Sequence, residues 1–383
     1  MGVYIILFFL IISFIIIYDL RVRKQCRSKQ SFYFCCIILA LVAGLRYHIG
    51  SDTANYIDYF EAVPNLGDFF RVLDLQVLSQ PLWFLFLSVV KTLFKDFLAL
   101  QLIHAFIVNL LIGKFIYNQC NKPFISLLAY YCCCWWNFSF EIMRESLCVA
   151  IYLNLLCAYV NSNNSKRFIV SSIPLLLIHM FAFIPIILTI IVRKLTYKQT
   201  LFFGFAVAVI LFFTLDNDLI MKLLLLSDGF LSNSFADRVL MYAEGDEYGF
   251  KSISVLGYLF IIATSVAYPI LVSKSKVCDD NYAKILLLYA FVIILRMKLL
   301  IFVRICNYWE IVLFVYAVNY IYANKATIKQ KYIALCFIYS LLNGIQTFLT
   351  PQEFDNSKYD SRYIPYSSYI EKSLNPTRER LYY

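Results

Sequence analysis

The stretch Val3–Tyr18, VYIILFFLIISFIIIY, decides the fold. Apolar side chains fill almost every position, so neither the 3.6-residue period of an amphipathic helix nor the two-residue period of a half-buried strand is present. A bilayer core of about 30 Å takes roughly 17–25 such residues as a helix. Basic residues follow at once: Arg21, Arg23, Lys24, Arg27 and Lys29, against a single Asp19. No basic region precedes the block and no small-residue cleavage site follows it. It reads as a retained anchor rather than a signal peptide.

The pattern recurs along all 383 residues. Further apolar blocks lie at 31–45, 97–117, 123–137, 146–160, 168–192, 200–215, 252–273, 282–295, 305–322 and 332–348. Residues in the hydrophobic set make up 61% and Asp, Glu, Lys and Arg only 15%, against roughly 25% charged in an average soluble domain. A soluble enzyme, a disordered chain and a disulfide-knit secreted domain are excluded. The net charge of +10 points to loop sidedness before it points to nucleic acid, and no nucleic-acid partner is expected. Nearly all of the twelve Cys lie in or beside apolar blocks, where they serve as small apolar residues. Nothing demands a metal or a cofactor, although Asp52 with Asp58 or Glu61 could hold a metal ion.

Lys and Arg mark cytoplasmic loops. Loop 19–30 is then inside and the N-terminus outside. Segments 46–80 and 216–251 are acidic and read as outside. Lys325, Lys329 and Lys331 mark an inside loop, which puts the tail 349–383 outside. Block 168–192 has inside-type charges at both ends, so it crosses twice, with a break at His179 between Pro174 and Pro185. Segment 81–94 is short and ends in Lys91 and Lys95, which suits a re-entrant or interfacial helix. The expectation is an all-α polytopic membrane protein of about twelve crossings, a single integral membrane domain over 1–383. Its long polar segments face outward, and any chemistry belongs on that face.

Charges at the outer helix ends are the candidate functional residues. Arg46 ends the second block. Arg144, flanked by Glu141 and Glu145, precedes 146–160. Arg296, Lys298 and Arg304 lie between 282–295 and 305–322. Basic residues held at the outer face run against the usual bias, and an anionic ligand is one reason to keep them, since Arg grips phosphate through a planar fork. The plain alternative is that each reaches lipid headgroups or pairs with Glu141, Glu145 or Glu310. His179, at a helix break near the outer face, can relay a proton or simply hold the break by hydrogen bonds. His104 reads as structural.

The segment Arg46-Tyr47-His48-Ile49-Gly50-Ser51-Asp52-Thr53-Ala54-Asn55-Tyr56 opens the first outer segment. Gly50 allows a tight turn. Asp52 then sits just above the membrane, where a carboxylate can act as a general base on a sugar hydroxyl. The alternative is an Asx turn or a helix cap.

These residues resemble the Arg-Tyr-x-x-Gly-Thr-Asp-x-x-x-Tyr signature of EpsG-type exopolysaccharide polymerases, relatives of the Wzy O-antigen and capsule polymerases. "MRESLCVAIYL" (Met143–Leu153) resembles their Arg-Gln-x-x-Ala helix start, "LLLIHMFAFI" (Leu175–Ile184) their Phe-His-x-Ser-Ala segment, and "YIPYSSY" (Tyr363–Tyr369) their Pro-Tyr ending. Ser51 stands for the Thr, Glu145 for the Gln, and Met180-Phe181-Ala182 displaces the Ser. The resemblance implies a multi-span glycosyltransferase of the GT-C-like kind in the bacterial inner membrane. It would join undecaprenyl-pyrophosphate-linked oligosaccharide units at the outer, periplasmic face, with a flippase and a chain-length regulator as further possible partners.

Read beside that family, Asp52 is the first choice for the base and His179 the second. Arg46, Arg144, Arg296, Lys298 and Arg304 would hold pyrophosphate. Tyr56 and Tyr308 would meet the glycan, although aromatic belts explain most of the 30 Tyr and 35 Phe. A flippase or other transporter is the rival reading, but it would place broken helices and charges near the midplane, often in two repeated halves. An O-acyltransferase would need a donor reached from the cytoplasm. A non-catalytic assembly subunit would tolerate loss of Asp52 or Arg144.

Overall fold

The computed structural model describes residues 2–20, 28–71, 80–162, 164–214, 255–323, 327–349 and 363–371. Most of the basic loop 19–30, Asp74, Lys325, all of segment 216–251 and most of the tail 349–383 lie outside the described residues. Those described are mostly helical and include no strand. The sheet-like pairing among them is one isolated antiparallel bridge, Arg46 to Ser368. Two compact units are formed: residues 1–182 with 338–383, and residues 183–337.

The first unit is a layer of helices that alternate in direction. Helix α1 (Gly2–Phe14) continues as a π turn to Asp19. Ser28 caps α2 (Lys29–Gly44) by accepting from the Ser31 amide. Ser31 donates to Tyr18 at 2.9 Å, so the end of α1 meets the start of α2. The outer segment, expected as a loop, is itself largely helical, with α3 (Thr53–Ala62) and α4 (Leu66–Phe69). Then come α5 (Pro81–Phe94), α6 (Phe97–Gln119), α7 (Pro123–Tyr130), α8 (Met143–Ser162) and α9 (Ser165–Ile178). Pro opens α5 and α7 at a position whose N–H has no intrahelical partner anyway. Asp96 and Asn164 cap α6 and α9 through their side chains.

Side-chain pairs fix the directions. Gly113 on α6 faces Cys36 on α2, where an added Cβ would stand 2.6 Å from the sulfur; Gly44 meets Leu102. These two helices run antiparallel and pack most closely. His104 bonds Met143 while Asn154 bonds Leu111, so α6 and α8 run parallel. Cys148 meets Leu175 and Tyr159 stacks on Phe168, so α9 returns against α8. Asp19 accepts from the Ile125 amide at 2.9 Å, placing a carboxylate at the positive N-terminus of α7. Tyr131 donates to the Tyr4 carbonyl nearer the other end.

Helix α5 begins and ends at one and the same end of this layer. Gln80 at its start accepts from Arg144. Helix α6 follows after Lys95 and Asp96, and its Gln101 and His104 reach Arg46 and Met143. Lys91 and Ser88 on α5 bond the carbonyls of Glu61, Val63 and Pro64, so α3 to α5 form a helical cap over that end.

The block 123–137 extends further than expected. After α7 it passes through π turns at Tyr131–Trp135 and Asn137–Glu141. The block 168–192 is interrupted at His179, which is extended at φ −149° and ψ 112°. A 3-10 turn, Met180–Ala182, follows.

The second unit comprises α10 (Phe183–Lys194), α11 (Tyr197–Thr214), α12 (Val255–Ile261), α13 (Ala267–Ser273), α14 (Asp280–Arg296), α15 (Val303–Cys306), α16 (Glu310–Ala323) and α17 (Ile328–Leu349) up to Phe337. A π turn joins α12 to α13. Helix α14 is hydrophobic all round and buried along nearly its whole length, as a central helix must be. Gly204 on α11 lets Phe291 of α14 approach; a Cβ there would stand 2.5 Å from the ring. Block 305–322 is a correction: the chain is broken at Asn307–Trp309 between α15 and α16. Phe302 to Arg304, just before it, are only half-buried, and Asn307 bonds back to Val303.

Among the described residues, four helices are long and apolar enough to cross a membrane by length and composition: Gly2–Asp19, Phe97–Gln119, Met143–Ser162 and Tyr197–Thr214. Shorter apolar helices include Lys29–Gly44, Pro81–Phe94, Pro123–Trp135, Leu259–Ser273 and Glu310–Ala323. Ile5, Ile6 and Phe9 on α1 and Phe202, Phe205, Ile210 and Phe213 on α11 are exposed. Apolar faces of that extent belong against lipid. The chain is an all-α membrane protein.

Candidate functional site

The site grows from the α7–α8 junction in the first unit. The π turn at Asn137–Glu141 is closed by the Ile142 amide on the Asn137 carbonyl at 3.0 Å. Ile142 then leaves helical geometry, with φ −98° and ψ 54°. Such turns recur at functional positions because they shift side chains off the regular helical register. Here the bend delivers Glu141, Arg144 and Glu145 within one short stretch.

The loop between α2 and α3 closes onto this junction. Its shape depends on two left-handed residues, His48 at φ 49° and Gly50 at φ 98°. Gly50 lies against Phe140, and an added Cβ would collide with that residue's carbonyl oxygen. Glycine is required there for two reasons, the positive φ and the close approach. Past Gly50, Glu141 takes up the loop. Its carboxylate accepts from the Ser51 amide at 3.2 Å, the Ser51 hydroxyl at 2.8 Å and the Asp52 amide at 3.1 Å.

Asp52 is half-buried at the N-cap position of α3, yet its side chain makes no cap hydrogen bond. The helix-cap alternative for this residue therefore fails. One turn on, Tyr56 is buried against Trp83, with ring centroids 5.8 Å apart. Burial pushes the Tyr56 phenol above its ordinary range; the Arg144 charge pulls it back and the Asp52 charge pushes it up again. Asp52, Tyr56 and Arg144 thus share one electrostatic neighbourhood. The Arg144 guanidinium sits 5.9 Å from the Tyr56 ring and 5.7 Å from the Tyr59 ring, and donates to Gln80 at 2.7 Å. It is half-buried. A cation between two aromatic faces is held in place without losing its charge.

Arg46 is placed differently. It is wholly buried, donates to the Ala43 carbonyl at the end of α2 at 2.7 Å, contacts the Met143 sulfur at 3.7 Å and lies over the Phe140 ring. Its own carbonyl accepts from Gln101. Arg46 therefore ties α2, α6 and the α7–α8 junction together. The tail packs against the same loop: Tyr47 donates to the Ser367 carbonyl and Tyr369 to the Leu45 carbonyl, each at 2.9 Å, and Tyr366 donates to Val42.

His179 and Glu145 form a pair at the start of α8. Both are buried, and Nε2 of His179 stands 3.7 Å from the Glu145 carboxylate, within ion-pair range. His104 bonds the Met143 carbonyl at 2.8 Å and lies 3.3 Å from the Ser146 hydroxyl, which suits a structural residue under the start of α8.

The remaining cations belong to the second unit. Arg296 is exposed at the end of α14 and Arg304 is half-buried in α15. Lys298 donates to the Phe212 carbonyl at 2.5 Å and stands over that ring, at the C-terminus of α11 where a cation is favoured. Tyr308 is buried.

The first unit thus brings together Asp52, Tyr56 and Arg144, and separately pairs His179 with Glu145 at the start of α8. Sequence reasoning passed over Glu141 except as a partner for an arginine, and passed over Gln80 and Tyr59 altogether. The run Glu141-Ile-Met-Arg-Glu145 between apolar blocks was the available signal for the first; nothing marked the other two. The described residues include no group of three or more His, Cys, Asp or Glu side chains placed to hold a metal ion.

The fold and this cluster define an integral membrane protein with a polar site at one end of a helical layer. A model of the EpsG family matches residues 29–368, and the chain belongs to that family. Membership carries an exopolysaccharide polymerase-type role, glycosyltransferase-like and part of polysaccharide biosynthesis. No curated protein and no solved structure matches the chain.

Proposed function

We propose that the protein polymerises oligosaccharide repeat units carried on undecaprenyl pyrophosphate, at the outer face of the bacterial inner membrane. The chain would cross about twelve times, as the apolar blocks suggest, in a GT-C-like arrangement with Asp52 and Arg144 facing the periplasm. The observation that carries the reading is the single cluster of Asp52, Tyr56 and Arg144, anchored on Glu141 and Gln80.

The chemistry follows from those groups. A hydroxyl of the incoming unit attacks C1 of the growing chain's reducing-end sugar. The C1–O bond to pyrophosphate breaks, and the lipid diphosphate leaves with the bonding pair. Asp52 takes the hydroxyl proton. Charge grows on the leaving group in the transition state, and Arg144, preorganised between two rings, stabilises it. Tyr56 offers a neutral hydroxyl to the same region. His179 with Glu145 is the second candidate for moving the proton. Arg46 acts from beneath by holding the loop, and Arg296 and Arg304 are further candidates for the anion. Tyr308, which is buried, is the weakest candidate for glycan contact.

Asp52→Asn and Arg144→Ala test this reading. Both variants should reach the membrane in normal amount, and surface polysaccharide should stop at a single repeat unit, read on a polysaccharide gel. Normal chain lengths in both would sink the proposal. Single units accumulating on the cytoplasmic leaflet would favour a flippase instead.

A further inference from the structure

We infer that Gln80 is a positioning residue for Arg144: its side-chain oxygen aims the guanidinium at the pyrophosphate that leaves. This rests on the polymerase reading above.

Two carboxylates flank Arg144 in sequence, and the hydrogen bond from its guanidinium goes to something else. Glu141 accepts from the Ser51 and Asp52 amides, and Glu145 stands 3.7 Å from His179. The acceptor for Arg144 is the Gln80 side-chain oxygen, at 2.7 Å. An amide oxygen brings no charge of its own, so this partner sets the direction of the cation and does not cancel it.

The sequence fixes where that oxygen starts from. Pro81 keeps the residue before it out of helical geometry, and Gln80 stands at φ −146° and ψ 59°. Its carbonyl accepts from the Trp83 and Phe84 amides at 3.1 and 3.2 Å, which closes the first turn of α5. Trp83 and Phe84 in turn pack edge-on against Tyr56 and Tyr59. The same turn of α5 therefore supports both the tyrosines and the glutamine that surround Arg144.

The two kinds of contact do different things. Attraction between a cation and a ring holds a charge in place but sets its orientation loosely. A hydrogen bond prefers a nearly straight donor angle and sets orientation closely. The guanidinium is a planar fork, so fixing one nitrogen directs the others. Misplacing a group by about 1 Å can cost roughly a hundredfold in rate, which is the scale on which such a residue acts.

The experiment uses full-length protein in liposomes, supplied with lipid-linked repeat units extracted from a strain that lacks the polymerase. Initial polymer formation is followed over a range of unit concentrations. Gln80→Ala should lower the maximal rate about 10- to 100-fold, while the half-saturating concentration moves no more than about threefold, because charge on the leaving group grows in the transition state. Gln80→Asn keeps an amide but shortens the arm by one carbon, and should lose about tenfold. Gln80→Glu restores the reach and the acceptor, and should recover the maximal rate to within about threefold of wild type. In an Arg144→Lys background, which keeps the charge and loses the fork, Gln80→Ala should cost no more than about threefold. None of these changes touches the backbone bonds that start α5, and Gln80→Asn carries the test if Gln80→Ala is poorly folded.

Gln80→Ala and Gln80→Asn at the wild-type rate, with Arg144→Ala inactive, would overturn this inference alone. So would Gln80→Glu as slow as Gln80→Ala, or a full loss from Gln80→Ala in the Arg144→Lys background. Arg144→Ala at the wild-type rate would overturn the role of Arg144 itself.

Discussion

Two helix junctions in this chain look alike in sequence and differ in structure. Each breaks an apolar run with arginine or lysine: Glu141 to Glu145 between α7 and α8, and Arg296 to Arg304 between α14 and α15. At the first, the cation is boxed between Tyr56 and Tyr59, and a separate loop delivers a carboxylate beside it. At the second, Arg296 is exposed and Lys298 is engaged at the C-terminus of α11. A charge displaced from its expected side marks a position that needs explaining, but it does not say whether the explanation is a ligand or a helix end. What separates the two is what the second chain segment brings: a loop with the carboxylate of Asp52 at the first, the backbone carbonyl of a helix end at the second.

The delivered loop is where the comparison breaks most easily. Gly50→Ala asks a β-carbon to sit at φ 98° and against the Phe140 carbonyl. Left-handed strain in a non-glycine residue costs on the order of 1–3 kcal/mol, and the collision adds to it. The loop should lift from Glu141, so polymer length should fall nearly as far as in Asp52→Asn. Blue-native gels would show whether the protein stays intact, and a gel of surface polysaccharide reads the effect. Full-length polymer from Gly50→Ala would mean that the loop's close seat on Phe140 is dispensable.

Much of the layout was legible in advance. The break at His179 followed from prolines on both sides and from inside-type charges at both ends of its block. The 81–94 segment is legible as a short helix, opened by Pro81 and ending before Lys95. The loop motif drew notice through Gly50 and Asp52. The partners of those residues were not legible, because contacts such as Ser51 to Glu141 join positions far apart in sequence and leave no periodic trace. Arg46 shows the same limit. Its charge suggested an anion site, whereas its packing under Met143 and Phe140 is a tertiary outcome. Asn307 to Trp309 broke a helix that the hydropathy pattern runs straight through, since hydropathy is blind to where backbone bonds stop.

The second junction offers a sharper contrast of smaller size. Arg296→Ala removes an exposed charge, worth up to about 1 kcal/mol at a solvated surface. The half-saturating concentration of lipid-linked units should rise no more than about fivefold, where Arg144→Ala abolishes turnover. Lys298→Met keeps the stem and loses the bond to Phe212. Its signature should be a fall in melting temperature of about 2 °C with polymer length preserved. Loss of polymer in Lys298→Met at unchanged stability would place the second junction beside the first as a ligand site.

The smallest effect belongs to the tail that pins the first junction. Tyr366 donates to the Val42 carbonyl at 2.9 Å. Burial pushes its phenol up to about 12, with the Arg46 charge pulling the other way. A tyrosine raised in the folded state favours folding fully below its unfolded pKa of about 10 and loses that contribution only as pH climbs toward about 12. The hydroxyl is therefore a neutral donor through the whole working range, and activity should show no pH dependence from this group. Tyr366→Phe deletes the donor and leaves the ring, which packs 5.5 Å from Tyr4. A bond of this kind is worth about 1 kcal/mol. The two backbone bonds from Tyr47 and Tyr369 should keep the tail seated. Hydrogen exchange at the Tyr47 and Tyr369 amides should speed up about fivefold at neutral pH while polymer length holds. A collapse of chain length from this one deletion would show that the tail, and not Glu141, governs the geometry of the loop.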